Sequence, residues 1–88
     1  MTTLEATQYT MALDAIMKAV RQTATGQGLV PSQQIAAMDL YEFIESILPI
    51  EKTTLRCELG KLEGLTTKTT FSGLAMMIVK AKRTGIQY

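Results

Sequence analysis

The sequence predicts an all-α fold, a small bundle of about four short helices that forms a single domain over residues 1–88. Apolar residues recur at spacings of three and four along most of the chain, which is the period of an amphipathic helix. Glycine and proline interrupt these patterns at intervals typical of short helices. A chain of 88 residues also suffices for one modest hydrophobic core.

Predicted helix one runs from Leu4 to Ala24. Thr2 or Thr3 is expected to cap it, because a threonine hydroxyl accepts hydrogen bonds from the free N–H groups of a first helical turn. Its apolar side chains fall on one stripe, as in a helix that packs one face on a core. They are Tyr9, Leu13, Ile16, Met17, Val20 and Ala24.

Predicted helix two runs from Ser32 to Leu48, and Ser32 is a favourable N-cap. Gly26 and Gly28 break the chain before it. Pro49 is expected to end it, because helical geometry is disfavoured for the residue before a proline. Its broad apolar stripe comprises Ile35, Ala36, Leu40, Phe43, Ile44, Ile47 and Leu48.

Three acidic residues, Asp39, Glu42 and Glu45, recur on another face of predicted helix two. None has a lysine or arginine four residues away, so ion pairs within the helix do not explain them. They either form a solvated face or bind a partner, and both interpretations stay open. Charge is also divided along the chain, because every charged residue is acidic from 31 to 51 and basic from 64 to 88. Such a division fits an anionic partner or complementary surfaces in a dimer.

Predicted helix three runs from Glu51 to Glu63. Gly60 lies within it, at a cost of about 1 kcal/mol relative to alanine. Gly64 is expected to adopt the left-handed conformation that ends many helices. The apolar side of this helix comprises Leu55, Leu59 and Leu62.

The last segment is compatible with two structures. A helix is favoured because Phe71, Leu74, Ala75, Ile78 and Val79 lie at helical spacing. Thr69 or Thr70 would cap this helix and Gly85 would stop it, after a basic turn whose charges suit the negative end of a helix dipole. A β-hairpin over residues 66–82 remains the alternative, because the residues before Phe71 are rich in β-branched threonine.

The residue inventory argues against an enzyme, a metal centre and a cofactor. The chain has no histidine and a single cysteine, Cys57, so a histidine-activated nucleophile and a structural zinc site are both excluded. Asp39, Glu42 and Glu45 are the remaining candidates for acid–base chemistry, and so short a chain offers them no pocket. We therefore expect no catalytic residue, no small-molecule substrate and no cofactor.

A cytoplasmic homodimer is expected. The lone cysteine and an N-terminus that lacks a basic, apolar leader favour the cytoplasm. The longest apolar run, Leu74 to Val79, is far shorter than the roughly 20 residues that span a bilayer. Hydrophobic residues make up 47% of the chain, which is high for a small domain, and pairing with a second copy would cover the surplus.

The segment from Thr53 to Leu65 resembles the recognition helix and exit turn of helix-turn-helix and winged-helix DNA-binding domains. Small polar residues open it, leucines three to four apart follow, and a glycine closes it. The resemblance implies a helix-turn-helix-like arrangement of helices two and three, with duplex DNA as the partner. The implied DNA-binding residues are Lys52, Thr53, Thr54, Arg56 and Lys61, joined by Lys80, Lys82 and Arg83 of the basic turn.

The alternative function is a helical adaptor or inhibitor that docks on another protein. Its contact surface would be the acidic face of Asp39, Glu42 and Glu45, or an exposed apolar stripe over Phe71–Val79. This alternative accounts better for the apolar content and the net charge of +1. A structural oligomer held by the opposed acidic and basic segments is a third interpretation.

Overall fold

The computed structural model describes residues 2–83, apart from the side chain of Arg83. Within this range the chain forms three α-helices and no strand, which confirms the predicted all-α class with one helix fewer than the four expected. They are α1 (Thr3–Val20), α2 (Leu40–Ile50) and α3 (Phe71–Arg83). Shorter turns connect them: 3₁₀ turns at Ile35–Ala37 and Leu59–Lys61, and a π-helical turn at Glu51–Leu55.

The start of α1 is fixed by a reciprocal cap between Thr2 and Glu5. Thr2 Oγ1 accepts a hydrogen bond of 3.1 Å from the Glu5 N–H, and Glu5 Oε1 accepts one of 3.1 Å from the Thr2 N–H. Two free donors of the first turn are thereby satisfied. Of the two predicted caps, Thr2 and Thr3, the structure has Thr2.

The end of α1 comes at Val20, four residues before the predicted end at Ala24. The Val20 carbonyl accepts from the N–H of Thr23 at 3.1 Å and from its hydroxyl at 2.7 Å, so the chain turns back over the helix end. Gly26 then packs directly on this turn, where a Cβ would lie 2.0 Å from the Val20 carbonyl oxygen. Only glycine fits there, which explains one of the two glycines of the break.

Helix α2 begins at Leu40, and the predicted start at Ser32 is wrong. Backbone donors in the preceding segment bond to a distant part of the chain instead of to their own turn: the Ile35 N–H donates to the Thr69 carbonyl at 2.9 Å, and the Ala36 N–H to the Thr67 carbonyl at 2.8 Å. The actual N-cap is Asp39, whose Oδ2 accepts from the Glu42 N–H at 3.0 Å.

Helix α2 continues through Pro49 to Ile50, so the prediction that this proline ends the helix is wrong. Because proline has no N–H, the helix lacks one hydrogen bond at that position. Directly after it the backbone widens into the π-helical turn Glu51–Leu55, and the Thr53 hydroxyl donates to the Pro49 carbonyl at 3.2 Å. Such widened turns are local departures from α-helical bonding.

The segment predicted as helix three, Glu51–Glu63, is not a continuous helix. Its π-helical turn ends at Arg56, whose φ of 51° lies in the left-handed region. The Cys57 N–H donates back to the Glu51 carbonyl at 3.1 Å. A single 3₁₀ turn, Leu59–Lys61, follows.

The burial pattern explains why this segment is irregular. Leu55, Cys57 and Leu59 are all buried, although they are only two residues apart along the chain. One face of a regular α-helix cannot bury positions at that spacing. The predicted helix-turn-helix-like arrangement is therefore wrong, whereas Gly64 has the expected left-handed conformation, with a φ of 81°.

Helix α3 confirms the helical prediction for the last segment, and the β-hairpin alternative over residues 66–82 is wrong. The Thr70 hydroxyl accepts from the Gly73 N–H at 2.9 Å, as expected of a cap, and the Thr70 carbonyl accepts from the Leu74 N–H at 2.9 Å. Residues 66–70 form turns that hold this start in place. The predicted stop at Gly85 lies outside the described residues.

The core is built around α3, which packs most extensively on α1. Phe43 of α2 meets Phe71 of α3 with ring centroids 6.3 Å apart. The Phe71–Val79 stripe is part of this core, so the prediction that it forms an exposed contact surface is wrong. In the part of the chain described here, no helix combines the length and the apolar character needed to cross a bilayer.

Candidate interaction surface

Three large aliphatic side chains stand exposed in one row along α2. Leu40, Ile44 and Leu48 retain 50%, 46% and 54% of their accessible surface, respectively. They are four residues apart, so they follow one another along the same side of the helix. Tyr41, which is 71% exposed, flanks this α2 row.

A groove of about 420 Å³ lies beside the α2 row. Its floor is the edge of the core, formed by the buried side chains of Phe43, Ile47 and Leu59. One wall is the α2 row, and the opposite wall is the irregular chain from Glu58 to Thr67. The apolar surface of the row therefore continues without a break into the apolar floor of this α2 groove.

The far wall of the α2 groove is attached to the end of α2 by Glu51. This carboxylate is 7% exposed, and its Oε2 accepts a hydrogen bond of 2.8 Å from the Leu59 N–H. The bond holds the 3₁₀ turn Leu59–Lys61 against α2. Gly60 of that turn lines the groove and has no atom within 4 Å of the position of a Cβ, so the space in front of it is open.

Charge at the α2 groove is acidic. Glu51 and Glu58 are the ionisable side chains among its lining residues, and no lysine or arginine lines it. Glu58 forms an ion pair of 3.3 Å with Lys61, which lies outside the lining. Glu45 is exposed one position after Ile44, beside the α2 row.

All three predicted acidic-face residues accept hydrogen bonds from within the chain. Asp39 caps α2, and Glu42 Oε1 accepts from the Thr25 hydroxyl at 2.6 Å and from the Thr25 N–H at 2.9 Å. These bonds hold the pKa of the Glu42 carboxyl below its usual value, because they favour the ionised form. Glu45 contacts the Tyr41 hydroxyl, and this hydrogen bond raises the pKa of Tyr41.

The residues implied by the DNA-binding resemblance lie on two parts of the chain. Lys52, Thr53, Thr54 and Arg56 are exposed on the π-helical turn and at its end, and Lys61 follows on the 3₁₀ turn. Lys80 is exposed and Lys82 is half-buried on α3, whereas the side chain of Arg83 is not among those that the structure describes. Whether these residues bind DNA stays a prediction.

The surroundings of Cys57 show how the basic candidates are mixed with acids. Burial raises the pKa of the Cys57 thiol, Lys82 and Lys61 act to lower it, and Glu51 and Glu58 act to raise it. Lys82 of α3 therefore lies near the irregular segment, but the carboxylates of Glu51 and Glu58 act on the same thiol. This environment differs from the uniformly basic patch that is typical of nucleic-acid-binding surfaces.

The concavity between α1 and α2 is a weaker candidate for an interaction site than the α2 groove. Its volume of about 820 Å³ is larger, but its lining mixes Asp14, Lys18 and Glu45 with apolar residues. Over residues 2–83, no three side chains of the kinds that bind metals are grouped as a metal ion would require.

Leu40, Ile44 and Leu48 belong to the broad apolar stripe recognised in the sequence of predicted helix two, and the structure shows each of them about half exposed. A signal was present in the breadth of that stripe, since it held more large aliphatics than one side of a helix buries. No protein-family model, no curated protein and no solved structure matches this chain.

Proposed function

We propose that this protein is a small, non-enzymatic interaction module that binds a segment of another protein in the α2 groove. One observation carries the proposal: Leu40, Ile44 and Leu48 stand half-exposed in a row above a groove whose floor is the hydrophobic core. Contiguous apolar surface of this kind marks interaction sites on small proteins. The proposal keeps the adaptor function and moves its contact surface to α2.

The free energy available from this surface is sufficient for reversible binding. Complete burial of a large aliphatic side chain contributes about 1.5–3 kcal/mol, so covering the exposed halves of three such side chains contributes about 2–4 kcal/mol. Tyr41 and the groove floor add to this. Loss of translational freedom opposes association, and a Kd of about 1 μM requires about 8 kcal/mol, so we expect weak, reversible binding with a Kd above the micromolar range.

The structure supports a protein partner better than duplex DNA. The continuous recognition helix on which the resemblance rested is absent between residues 51 and 63, and carboxylates accompany the basic side chains around Cys57. DNA binding stays a prediction with its own test. Arg56→Ala should weaken binding to a specific duplex more than to a random one, and Lys82→Ala should weaken both alike.

That the protein forms a homodimer and that it lies in the cytoplasm remain predictions from its sequence. The absence of histidine and the single cysteine support the non-enzymatic part. The two expectations can be tested separately: sedimentation measures self-association, and fractionation of cells that produce the protein measures location.

A peptide-display selection tests the proposed function. Random peptides are selected on the wild-type protein, and their affinities are measured for Ile44→Asp, which places a charge in the middle of the α2 row. The matched control is Leu4→Asp, since Leu4 is an equally apolar and even more exposed residue on α1. Circular dichroism establishes that both variants keep their helix content.

We expect selected peptides to bind Ile44→Asp at least tenfold more weakly and Leu4→Asp as tightly as wild type, since a charge buried without a partner opposes binding. Peptides that bind all three proteins equally would remove the α2 groove as the site. A labelled random duplex is titrated in parallel. Saturable, salt-dependent duplex binding that Arg56→Ala weakens would favour the DNA alternative instead.

A further inference from the structure

The α2 groove suits a helix better than an extended strand. Recognition by strand addition requires an exposed sheet edge, and residues 2–83 form no strand, only one isolated bridge between Gln34 and Thr70. The α2 row instead offers three side chains four residues apart, spread over about 12 Å at 1.5 Å per residue. That is the arrangement into which a second amphipathic helix packs.

Charge distinguishes among the helices that this groove can take. A helix lying in it has Glu58 on one side and Glu45 on the other, beyond the α2 row. All four charged residues from position 31 to position 51 are acidic. The charges of Glu51 and Glu58 are met within the chain, by the Leu59 N–H and by Lys61. The exposed Glu45 accepts a hydrogen bond from the neutral Tyr41 hydroxyl, which leaves its negative charge available to a cationic ligand.

A second copy of α2 is a poor occupant by the same reasoning. Two such helices packed row against row bring the Glu45 carboxylates of both copies to one interface, with no lysine or arginine from residues 31–51 to offset them. Like charges brought together oppose association and exclude wrong partners. A helix with lysine or arginine beside its apolar stripe has the complementary arrangement.

We propose that the partner segment bound in the α2 groove is a cationic amphipathic helix, whose apolar stripe covers Leu40, Ile44 and Leu48 and whose basic flank faces Glu45. This inference rests on the proposed function and adds to it the chemical class of the partner. Electrostatic complementarity of this kind selects among partners and speeds association more than it adds affinity.

Three synthetic peptides test the inference. Each is an alanine-based helix with leucines at i, i+4 and i+8, and the positions that flank the leucines are all lysine, all glutamine or all glutamate. Fluorescence anisotropy measures binding to the wild-type protein at about 50 mM and about 200 mM salt, a range over which surface charge interactions become screened. We expect the lysine peptide to bind at least tenfold more tightly than the glutamate peptide at low salt, and we expect salt to reduce this ratio.

Charge reversal in the protein locates the effect. Glu45→Lys should abolish the preference for the lysine peptide, whereas Asp14→Lys, an equal charge change at an exposed residue of α1 rather than beside the α2 row, should keep it. Equal binding of the three peptides, lost in Ile44→Asp, would overturn the cationic partner and leave the interaction module in place. Binding of no peptide at all would overturn both. Self-association by sedimentation that Ile44→Asp abolishes would show that a second copy is the occupant and overturn this inference.

Discussion

The Glu51 carboxylate and the Leu59 N–H are joined by a buried hydrogen bond of 2.8 Å. This bond links the end of α2 to a turn eight residues later, which forms the far wall of the α2 groove. A buried carboxylate is costly unless hydrogen bonds satisfy it, so Glu51 has a structural role rather than a ligand-binding one. The groove therefore depends on a residue that its occupant does not need to touch.

Removing this carboxylate should destabilise the fold and the groove together. Glu51→Ala leaves the Leu59 N–H buried without an acceptor, which costs about 1–3 kcal/mol in the free energy of unfolding. Glu51→Gln keeps an acceptor and should lose less. Urea denaturation measures both, with the exposed Glu63→Ala as the control. Equal losses in the alanine and glutamine variants would show that the hydrogen bond contributes nothing.

We expect substitution by alanine to have opposite effects on stability at Gly26 and at Gly60. Gly26→Ala places a Cβ 2.0 Å from the Val20 carbonyl oxygen, so the turn after α1 must open. Overpacking of this kind costs about 1–3 kcal/mol. Gly60→Ala meets no atom within 4 Å, and Gly60 does not have a positive φ, so it should be neutral or stabilising by up to about 1 kcal/mol.

Thermal unfolding followed by circular dichroism compares the two glycine variants. Gly60→Ala also adds a methyl group inside the α2 groove, so it should alter peptide binding while leaving stability unharmed. Equal melting temperatures for Gly26→Ala and wild type would mean that the close contact at Val20 is not maintained in solution.

Helical periodicity predicted α1 and α3 because each buries a single stripe on one core. It failed between residues 51 and 63, where Leu55 and Leu59 fit a helix but the buried Cys57 between them does not. Nothing in local spacing indicates that Cys57 is buried. The start of α2 was missed for a related reason, because the long-range bonds of the Ile35 and Ala36 N–H groups cannot be recognised from neighbouring residues.

The candidate site was harder to predict than the fold. The apolar stripe of α2 is visible in the sequence, but which part of it the core covers depends on where the chain from Glu58 to Thr67 passes. That path follows from the Glu51 to Leu59 bond and the left-handed Arg56, neither of which has a sequence pattern of its own. The breadth of the stripe in the sequence therefore indicates that some of its apolar side chains are exposed, but it does not identify them as Leu40, Ile44 and Leu48.

We expect the substitution Arg56→Gly to stabilise the fold, because Arg56 has a left-handed backbone conformation. Its φ of 51° is left-handed, a conformation that costs an L-residue with a Cβ about 1–2 kcal/mol and costs glycine little. Glycine loses more entropy on folding, so Arg56→Gly should raise the free energy of unfolding by about 0.5–1 kcal/mol net. Arg56→Val, with a β-branched side chain at the same position, should lower it. Urea denaturation in which valine proves as stable as glycine would contradict the left-handed turn.

We expect the buried Cys57 thiol to make the stability of the fold depend on pH in the alkaline range. Burial raises the pKa of its thiol, opposed by Lys82 and Lys61, from an ordinary value of 9.0. Because the folded chain holds the proton more tightly than the unfolded chain, this stabilisation is complete below that value and decreases as pH rises through the folded pKa. The free energy of unfolding should therefore fall above about pH 9 more steeply for wild type than for Cys57→Ala.

The comparison with Cys57→Ala isolates the thiol, because lysines and tyrosines titrate in the same range in both proteins. Removing the side chain lowers stability at every pH, so the quantity to follow is the difference between the two proteins, which should shrink as pH rises. Iodoacetamide supplies a second readout. The thiol should react more slowly in the folded protein than in urea, because it is both buried and protonated. A difference in stability that stays constant from neutral to alkaline pH, together with equal alkylation rates, would contradict a buried thiol at this position.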